Sequence, residues 1–220
     1  MSPRSRSRFV DERISAYASA HSSPPDQVQL DLQAETEART GWAVAMQIGD
    51  DQAVFMEILA RAMGAKSAIE IGTFTGYSAL AVARGIGPDG HLLCLDVSEE
   101  WTSIARDFWE RAGVGDRIEL RLGPASETLQ TLPADLVFDF AFIDADKTGY
   151  PAYYDALLPR MRTGGLILAD NTLRDGGVLE DTDDADTKAI KGFNDALMTD
   201  DRVRVVLLPI GDGVTMIEKL

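Results

Sequence analysis

Acidic side chains follow one short apolar run after another in this sequence, and they are the residues with the most evident chemistry. A carboxylate next to a buried strand is costly unless something pairs with it. One such acid could simply cap a helix, but four of them after successive apolar runs indicate a binding or catalytic site. The four acids, in chain order, are Glu70, Asp96, Asp144 and Asp170.

Two of these acids belong to a set of hard oxygen ligands. Asp144, Asp170 and Asn171 come after the last two of these runs, with no histidine or cysteine nearby. Such a set selects Mg²⁺, Mn²⁺ or Ca²⁺, and three protein ligands leave positions for water and a chelating substrate. Lys147 follows Asp144 closely and can act as a proton acceptor beside a metal. The alternative for Lys147 is a surface ion pair with Asp144 or Asp146.

A turn with a glycine at each end, Gly72 and Gly76, follows the first apolar run. Glycines there let the backbone approach a ligand at a helix N-terminus. The spacing G-x-x-x-G lacks the middle glycine of dinucleotide-binding turns, so a pyrophosphate has less room. A nucleoside without phosphate, such as S-adenosylmethionine, suits this turn better. Asp96 ends the next apolar run, where an acid can accept hydrogen bonds from two ribose hydroxyls.

From residue 66 onward, short apolar segments alternate with segments of helical periodicity. This alternation predicts a mostly parallel sheet with helices on both faces, whose ligands bind beyond the carboxyl ends of the strands. The last two strands are joined by Gly211-Asp212-Gly213, which is too short for a crossover and predicts an antiparallel hairpin. The predicted strands are 68–71, 91–96, 118–122, 138–143, 166–169, 203–208 and 214–217, and the predicted helices are 77–84, 99–112, 126–132, 153–161 and 187–197.

The N-terminal part of the chain has a different character. Its first eight residues contain three arginines among serines and predict a disordered or lightly ordered tail, not a secretory signal. Pro24-Pro25 predicts the start of a helix that reaches Arg39. A second helix is predicted between Gly49 and Gly64.

The composition narrows the class of protein. A net charge of -15 and a pI near 4.4 disfavour nucleic acid and anionic membranes as partners. The single cysteine, Cys94, predicts a small buried hydrophobe in a strand and fits a reducing cytoplasm. The two histidines are distant in sequence, which argues against a zinc site. The chain length fits one α/β domain over residues 1–220.

Taken together, these residues show that the chain resembles the cation-dependent O-methyltransferases, the caffeoyl-CoA and catechol O-methyltransferase family. The combination of motifs, in the family's order, carries the resemblance, whereas the glycine turn alone is weak. The matching stretches are 46–48, 68–78, 95–96, 123–125, 142–147, 170–173 and 208–213.

The resemblance implies a Rossmann-like class I methyltransferase with a seven-stranded sheet, and it also implies a homodimer. Residues 46–220 would form the S-adenosylmethionine-binding core, and residues 1–45 a tail and helical segment that shapes the acceptor site. It also implies a metal held by Asp144, Asp170 and Asn171, with Mg²⁺ as the first candidate, and Lys147 as general base beside a catalytic Asp144. The implied cofactor-binding residues are Met46, Ile48, Glu70, Gly72, Thr73, Ser78, Asp96, Ala125, Asp144 and Asp146.

Two stretches depart from the pattern of the family. Arg174-Asp175 replace the Trp-Asn of the plant enzymes, and the carboxylate of Asp175 would repel an anionic substrate tail. The acidic segment 180–186 predicts a solvated mobile loop, with a second cation site or an attractor for cationic substrates as alternatives. The expected activity is metal-dependent methylation of a small aromatic ortho-diol, either a free catechol or a hydroxycinnamoyl-type acceptor.

Three other functions stay open on the sequence. One is a dinucleotide-dependent oxidoreductase on a similar sheet, which the glycine spacing disfavours. Another is a metal-independent methyltransferase in which the acids only cap helices. The last is a binding protein without activity, since a fold does not fix function.

Overall fold

A seven-stranded sheet forms the centre of the protein in the computed structural model, which describes residues 9–220. The strand order is β3-β2-β1-β4-β5-β7-β6, with β1 to β5 parallel and β7 antiparallel to both of its neighbours. The predicted fold class is therefore confirmed. The strands are β1 (Ser67–Ile71), β2 (His91–Asp96), β3 (Ile118–Leu122), β4 (Phe138–Ile143), β5 (Met161–Ala169), β6 (Val203–Leu208) and β7 (Val214–Lys219).

Eight α-helices surround the sheet within the described residues. They are α1 (Glu12–Ala20), α2 (Gln27–Thr40), α3 (Asp50–Ala62), α4 (Tyr77–Ile86), α5 (Glu99–Arg111), α6 (Ala125–Thr131), α7 (Tyr150–Leu157) and α8 (Ala185–Leu197). A short 3₁₀ helix, Gly41–Met46, connects α2 to the segment before α3. None of the described helices is long and apolar enough to cross a membrane.

The sheet has a hydrophobic core on each face because alternate side chains of a strand point to opposite sides. In β1, Ala68 packs with α3, α4 and α5, whereas Ile69 and Ile71 pack with α6, α7 and α8. This alternation also directs Glu70 and Cys94, which are paired across β1 and β2, to the α3–α5 face. Cys94 is fully buried there, as predicted.

The strand order of the sheet changes direction between β1 and β4. The strands β2 and β3 extend to one side of β1, and β4 returns to pair with its other side. A crevice opens beyond the carboxyl ends of strands at such a reversal, and ligands bind there in open α/β sheets. The sheet topology alone therefore places a binding site where the predicted acids lie.

Several predicted boundaries need correction. Helix α2 starts two residues after Pro24-Pro25, because the Asp26 side chain accepts from the Gln29 backbone N–H and forms the N-cap. Helix α7 starts at Tyr150, with Pro151 in its first turn, and β5 already starts at Met161. Pairing with β4 extends this strand back through Gly164-Gly165 to Met161, whereas the predicted strand began at residue 166.

Two N-terminal expectations have different outcomes. Helix α1 was not predicted. It contains no buried residue, so its sequence lacks the pattern of core-facing apolar residues on which the other helix predictions depend. The predicted tail of residues 1–8 lies outside the described residues.

Candidate active site

One cavity of about 1280 Å³ lies beyond the carboxyl ends of the central strands. Strand ends, the turn between β1 and α4, and the segment before α3 all contribute to its wall. All but one of the predicted site residues line it, the exception being Glu70. The predicted residues in the wall are Met46, Ile48, Gly72, Thr73, Ser78, Asp96, Ala125, Asp144, Asp146, Lys147, Asp170 and Asn171.

The backbone of the turn after β1 packs directly against the backbone at the end of β4. Gly72 has a φ of +89°, and a Cβ there would lie 2.0 Å from the carbonyl oxygen of Asp144. The Asp144 N–H in turn donates to the Ile71 carbonyl at 2.8 Å. Position 72 therefore requires glycine for two reasons. Its φ angle is positive, and there is no space for a Cβ next to the Asp144 carbonyl.

Asp96 fixes this turn to the end of β2. Its Oδ2 accepts from the backbone N–H groups of Thr73 and Phe74, both at 2.8 Å, and its Oδ1 accepts from that of Ser98 at 2.8 Å. A carboxylate offers about four lone-pair positions, so room for one further hydrogen bond is left in this arrangement. The predicted pair of ribose hydrogen bonds stays a prediction.

Aromatic side chains complete this end of the cavity. Phe74 and Trp101 both line it, and their rings meet edge to face with centroids 5.0 Å apart. Pro124 and Ala125, after β3, lie in the same wall. Trp101 was missed by the sequence reasoning, although an aromatic residue in the first turn after an acid-terminated strand was a usable signal.

Glu70 occupies a position beneath the turn. It is fully buried, and burial raises the pKa of its carboxyl to about 8. Within the described structure its Oε2 has no hydrogen-bond partner, and its Oε1 lies 3.9 Å from the Cys94 thiol sulfur. The predicted contact with the methyl donor stays a prediction, since the side chain does not line the cavity.

Asp144 and Lys147 form a partly buried ion pair at the end of β4. The Lys147 Nζ lies 2.8 Å from Asp144 Oδ1 and donates to the Tyr150 hydroxyl, also at 2.8 Å, and Lys147 is only 8% exposed. Tyr150 is held in place by the backbone carbonyl of Asp170, 3.0 Å from its hydroxyl. The alternative for Lys147 was a surface ion pair with Asp144 or Asp146. The ion pair with Asp144 is present, but Lys147 is buried in the cavity wall and does not lie at the surface.

Asp170 is the second carboxylate at this point. Burial, and next the negative charge of Asp144, raise the pKa of the Asp170 carboxyl to about 7. Its Oδ2 accepts from the Gln52 amide at 2.9 Å, and its Oδ1 from the Asn171 backbone N–H at 2.8 Å. Gln52, which sequence reasoning missed, therefore reaches Asp170 from the first turn of α3.

Asn171 has the left-handed backbone conformation, with a φ of +55°. Asparagine tolerates this conformation better than most residues, and strained residues of this kind cluster at functional sites. Asn171 lines the same cavity as Asp144 and Asp170.

The chemistry of these three side chains fits a divalent cation. No group of three or more His, Cys, Asp or Glu side chains with metal-binding spacing occurs in the described part of the chain. The set here has only two carboxylates, with an amide oxygen as the third candidate ligand. One buried carboxylate, Asp170, a partly buried one, Asp144, and a neutral amide suit a hard cation with open positions for oxygen ligands.

The cavity wall also carries the residues that depart from the expected pattern. Arg174 and Asp175 both have positive φ angles and both line the cavity. The Arg174 guanidinium is 3.9 Å from Asp184 and 3.8 Å from Asp186. Asp184 also caps α8 by accepting from the Thr187 backbone N–H at 2.8 Å. Part of the acidic segment 180–186 therefore has structural contacts, while its predicted mobility stays a prediction.

Comparisons with known proteins agree with this geometry. Residues 19–220 match the sequence profile of a family described as O-methyltransferase. "Probable caffeoyl-CoA O-methyltransferase 2" of Dictyostelium discoideum is 40% identical over 93% of this chain and 90% of its own length. Caffeoyl-CoA O-methyltransferase 2 of Zea mays is 40% identical over 84% of this chain and 74% of its own length.

A solved structure of a similar protein contains S-adenosylhomocysteine (SAH), the product form of the methyl donor. The crystal structure of an O-methyltransferase from Bacillus cereus in complex with SAH has a TM-score of 0.87 and 32% identity, covering 94% of this chain and 97% of that one. The fold, the cavity at the strand ends and the sequence match thus lead to one conclusion. The chain belongs to the O-methyltransferase family and is an S-adenosylmethionine-dependent O-methyltransferase.

Proposed function

We propose that the enzyme methylates one hydroxyl of an aromatic vicinal diol and requires a divalent cation, Mg²⁺ before Mn²⁺ or Ca²⁺. The observation that carries this proposal is the convergence of Asp144, Asp170, Asn171 and Lys147 on the cavity that the glycine turn borders. The caffeoyl-CoA O-methyltransferases among the relatives support an aromatic acceptor of this kind.

Each group has a distinct task in this proposal. When bound, S-adenosylmethionine supplies an electrophilic methyl group, and a divalent cation supplies a Lewis acid that favours the deprotonated diol. Asp144, Asp170 and Asn171 would hold the cation, which would supply a Lewis acid beside the two hydroxyls of the diol. Fixing the acceptor in an oriented position would contribute several kcal/mol, as in other well-oriented reactions.

Lys147 is the proposed general base. A phenol is mostly protonated at neutral pH because its pKa is about 10, so the attacking oxygen must lose a proton. The Lys147 Nζ is held by Asp144 and Tyr150 within the same wall. For the donor side, we propose contacts from Met46, Ile48, Glu70, Gly72, Thr73, Ser78, Asp96, Ala125, Asp144 and Asp146.

The first experiment is a panel of methyl acceptors assayed with labelled S-adenosylmethionine. We expect catechols to be methylated with Mg²⁺, whereas matched mono-phenols are not, because only vicinal oxygens chelate the cation. EDTA should stop the reaction, and added Mg²⁺ should restore it. Equal turnover of mono-phenols, together with indifference to EDTA, would instead favour a metal-independent methyltransferase in which Lys147 neutralises Asp144.

Asp175 offers a test of acceptor charge. Its carboxylate lines the cavity where the plant enzymes have an asparagine, and like charges disfavour anionic acceptors. We expect Asp175→Asn to raise kcat/KM for caffeoyl-CoA relative to that for free catechol, by a few-fold. Asp181→Asn, an exposed acid that does not line the cavity, is the matched control and should leave this ratio unchanged. An unchanged ratio in Asp175→Asn would remove Asp175 from acceptor selection.

A further inference from the structure

Gln52 is a buried amide that joins three parts of the fold at the cavity. It lies in the first turn of α3, is only 2% exposed, and its Nε2 donates to Asp170 Oδ2 at 2.9 Å. On its other side, a Cβ at Gly211, in the turn between β6 and β7, would lie 2.8 Å from the Gln52 Oε1. The amide is thus enclosed between the end of β5 and the C-terminal hairpin.

The hydrogen bond from Gln52, together with one from the Asn171 backbone, leaves the Asp170 carboxylate with little freedom to rotate. One oxygen accepts from Gln52 and the other from the backbone N–H of Asn171 at 2.8 Å. Each carboxylate oxygen has about two lone-pair positions, so each keeps one for another partner. The two donors fix the plane of the carboxylate without occupying all of its capacity.

The chemical nature of the donor matters as much as its position. Asp144 is paired with the charged Lys147, whereas Asp170 is held by a neutral amide and a backbone N–H. A neutral donor orients a carboxylate and leaves its negative charge available to a cation. Carboxylates that bind metals are commonly held in this way by hydrogen bonds from surrounding groups.

We propose that Gln52 is a positioning residue that sets the affinity of the site for its divalent cation by holding the Asp170 carboxylate in its binding orientation. This inference rests on the proposed metal-dependent function. Gln52 acts through Asp170, and no contact with the substrate is required of it.

The test is a Mn²⁺ titration of the full-length protein, followed by the electron paramagnetic resonance signal of free Mn²⁺. Gln52→Met keeps the length and approximate volume of the side chain but removes the donor. We expect it to weaken Mn²⁺ binding by about 10- to 100-fold, the range typical for loss of a hydrogen bond to a metal ligand. The affinity for S-adenosylhomocysteine should stay within about two-fold, and excess Mg²⁺ should restore kcat.

Gln33→Met is the matched control. Gln33 is also a buried glutamine, 3% exposed, and its amide donates to a carboxylate, Asp50, and to the Tyr77 hydroxyl. Its loss should lower the melting temperature but leave Mn²⁺ affinity unchanged, because Asp50 is not among the proposed ligands.

The possible outcomes distinguish failure of the proposed role of Gln52 from failure of the proposed metal-dependent function. Mn²⁺ binding by Gln52→Met at wild-type affinity would overturn the role of Gln52 and leave the metal-dependent function standing. Equal weakening by Gln33→Met would also overturn it, since the effect would then be a general loss of packing. Absence of Mn²⁺ binding and of EDTA sensitivity in the wild-type protein would refute the proposed function itself.

Discussion

Asp170→Ala is expected to abolish methylation of an ortho-diol while S-adenosylmethionine still binds with nearly wild-type affinity. The substitution removes a carboxylate that lies in the cavity wall and is held by Gln52 and the Asn171 backbone. Loss of an indirect hydrogen bond at a metal site already costs about 10- to 100-fold, so loss of a proposed ligand should cost more than about 100-fold in kcat/KM. Isothermal titration with S-adenosylmethionine and Mn²⁺ separates the two binding steps.

Asp139→Ala is the matched control for this variant. Asp139 is a carboxylate that is partly buried, and its Oδ2 accepts from the backbone N–H groups of Lys66 and Ser67. Lying in β4, near the strand's amino end, it pairs with Arg162 at 2.7 Å and does not line the cavity. We expect a lower melting temperature but retained, EDTA-sensitive activity. Activity of Asp170→Ala that persists in EDTA would contradict the assignment of Asp170 as a ligand.

Gly72→Ala is expected to be the most destabilising single-methyl substitution in the cavity wall. The added Cβ would meet the Asp144 carbonyl oxygen at 2.0 Å, and the φ of +89° is strained for any residue with a Cβ. Backbone strain of this kind costs about 1–3 kcal/mol, and overpacking adds about 1–3 kcal/mol. For a chain of this size, a melting-temperature decrease of about 10 °C follows, measured by calorimetry.

Substitutions at two other glycines separate the effect of backbone strain from the effect of overpacking. Gly113 has a φ of +67° with nothing within 4 Å of its ideal Cβ, so Gly113→Ala should show the backbone term alone. Gly192 lies exposed within α8, also with open space, and Gly192→Ala should stabilise by up to about 1 kcal/mol. A melting temperature for Gly72→Ala no lower than that of Gly113→Ala would show that β1 and β4 can separate at no cost.

Most of the site residues could be predicted because short-range patterns place them at strand ends. An apolar run followed by an acid predicts where a parallel strand stops, and the carboxyl ends of parallel strands share one edge of the sheet. Asp96 and Asp144 were found in this way, and the resemblance to a known family gave roles to residues such as Met46 and Ile48. Those roles are part of the proposed function.

The residues that sequence reasoning missed share a different property. Gln52 contacts Asp170 across 118 positions of the chain, and Trp101 meets Phe74 from a helix after the next strand. An aromatic residue in the first helical turn after Asp96 was a local signal for Trp101 itself. Nothing in the local sequence, however, indicates which distant residue Gln52 or Trp101 contacts. Only the packing of α3 and α5 against the sheet brings them together.

The sequence by itself determined the alternation of strands and helices, the C-terminal hairpin and the edge at which the acids collect, because these follow from periodicity and turn chemistry within short windows. The tertiary structure decided how far each side chain is buried and which group it meets. Glu70 shows the difference, since its place near a strand end suggested a contact with the cavity, yet strand alternation and the turn above enclose it among helices. The long-range partner of a side chain, and the burial of a polar group such as this one, depend on the whole packed chain, and a local pattern does not specify either.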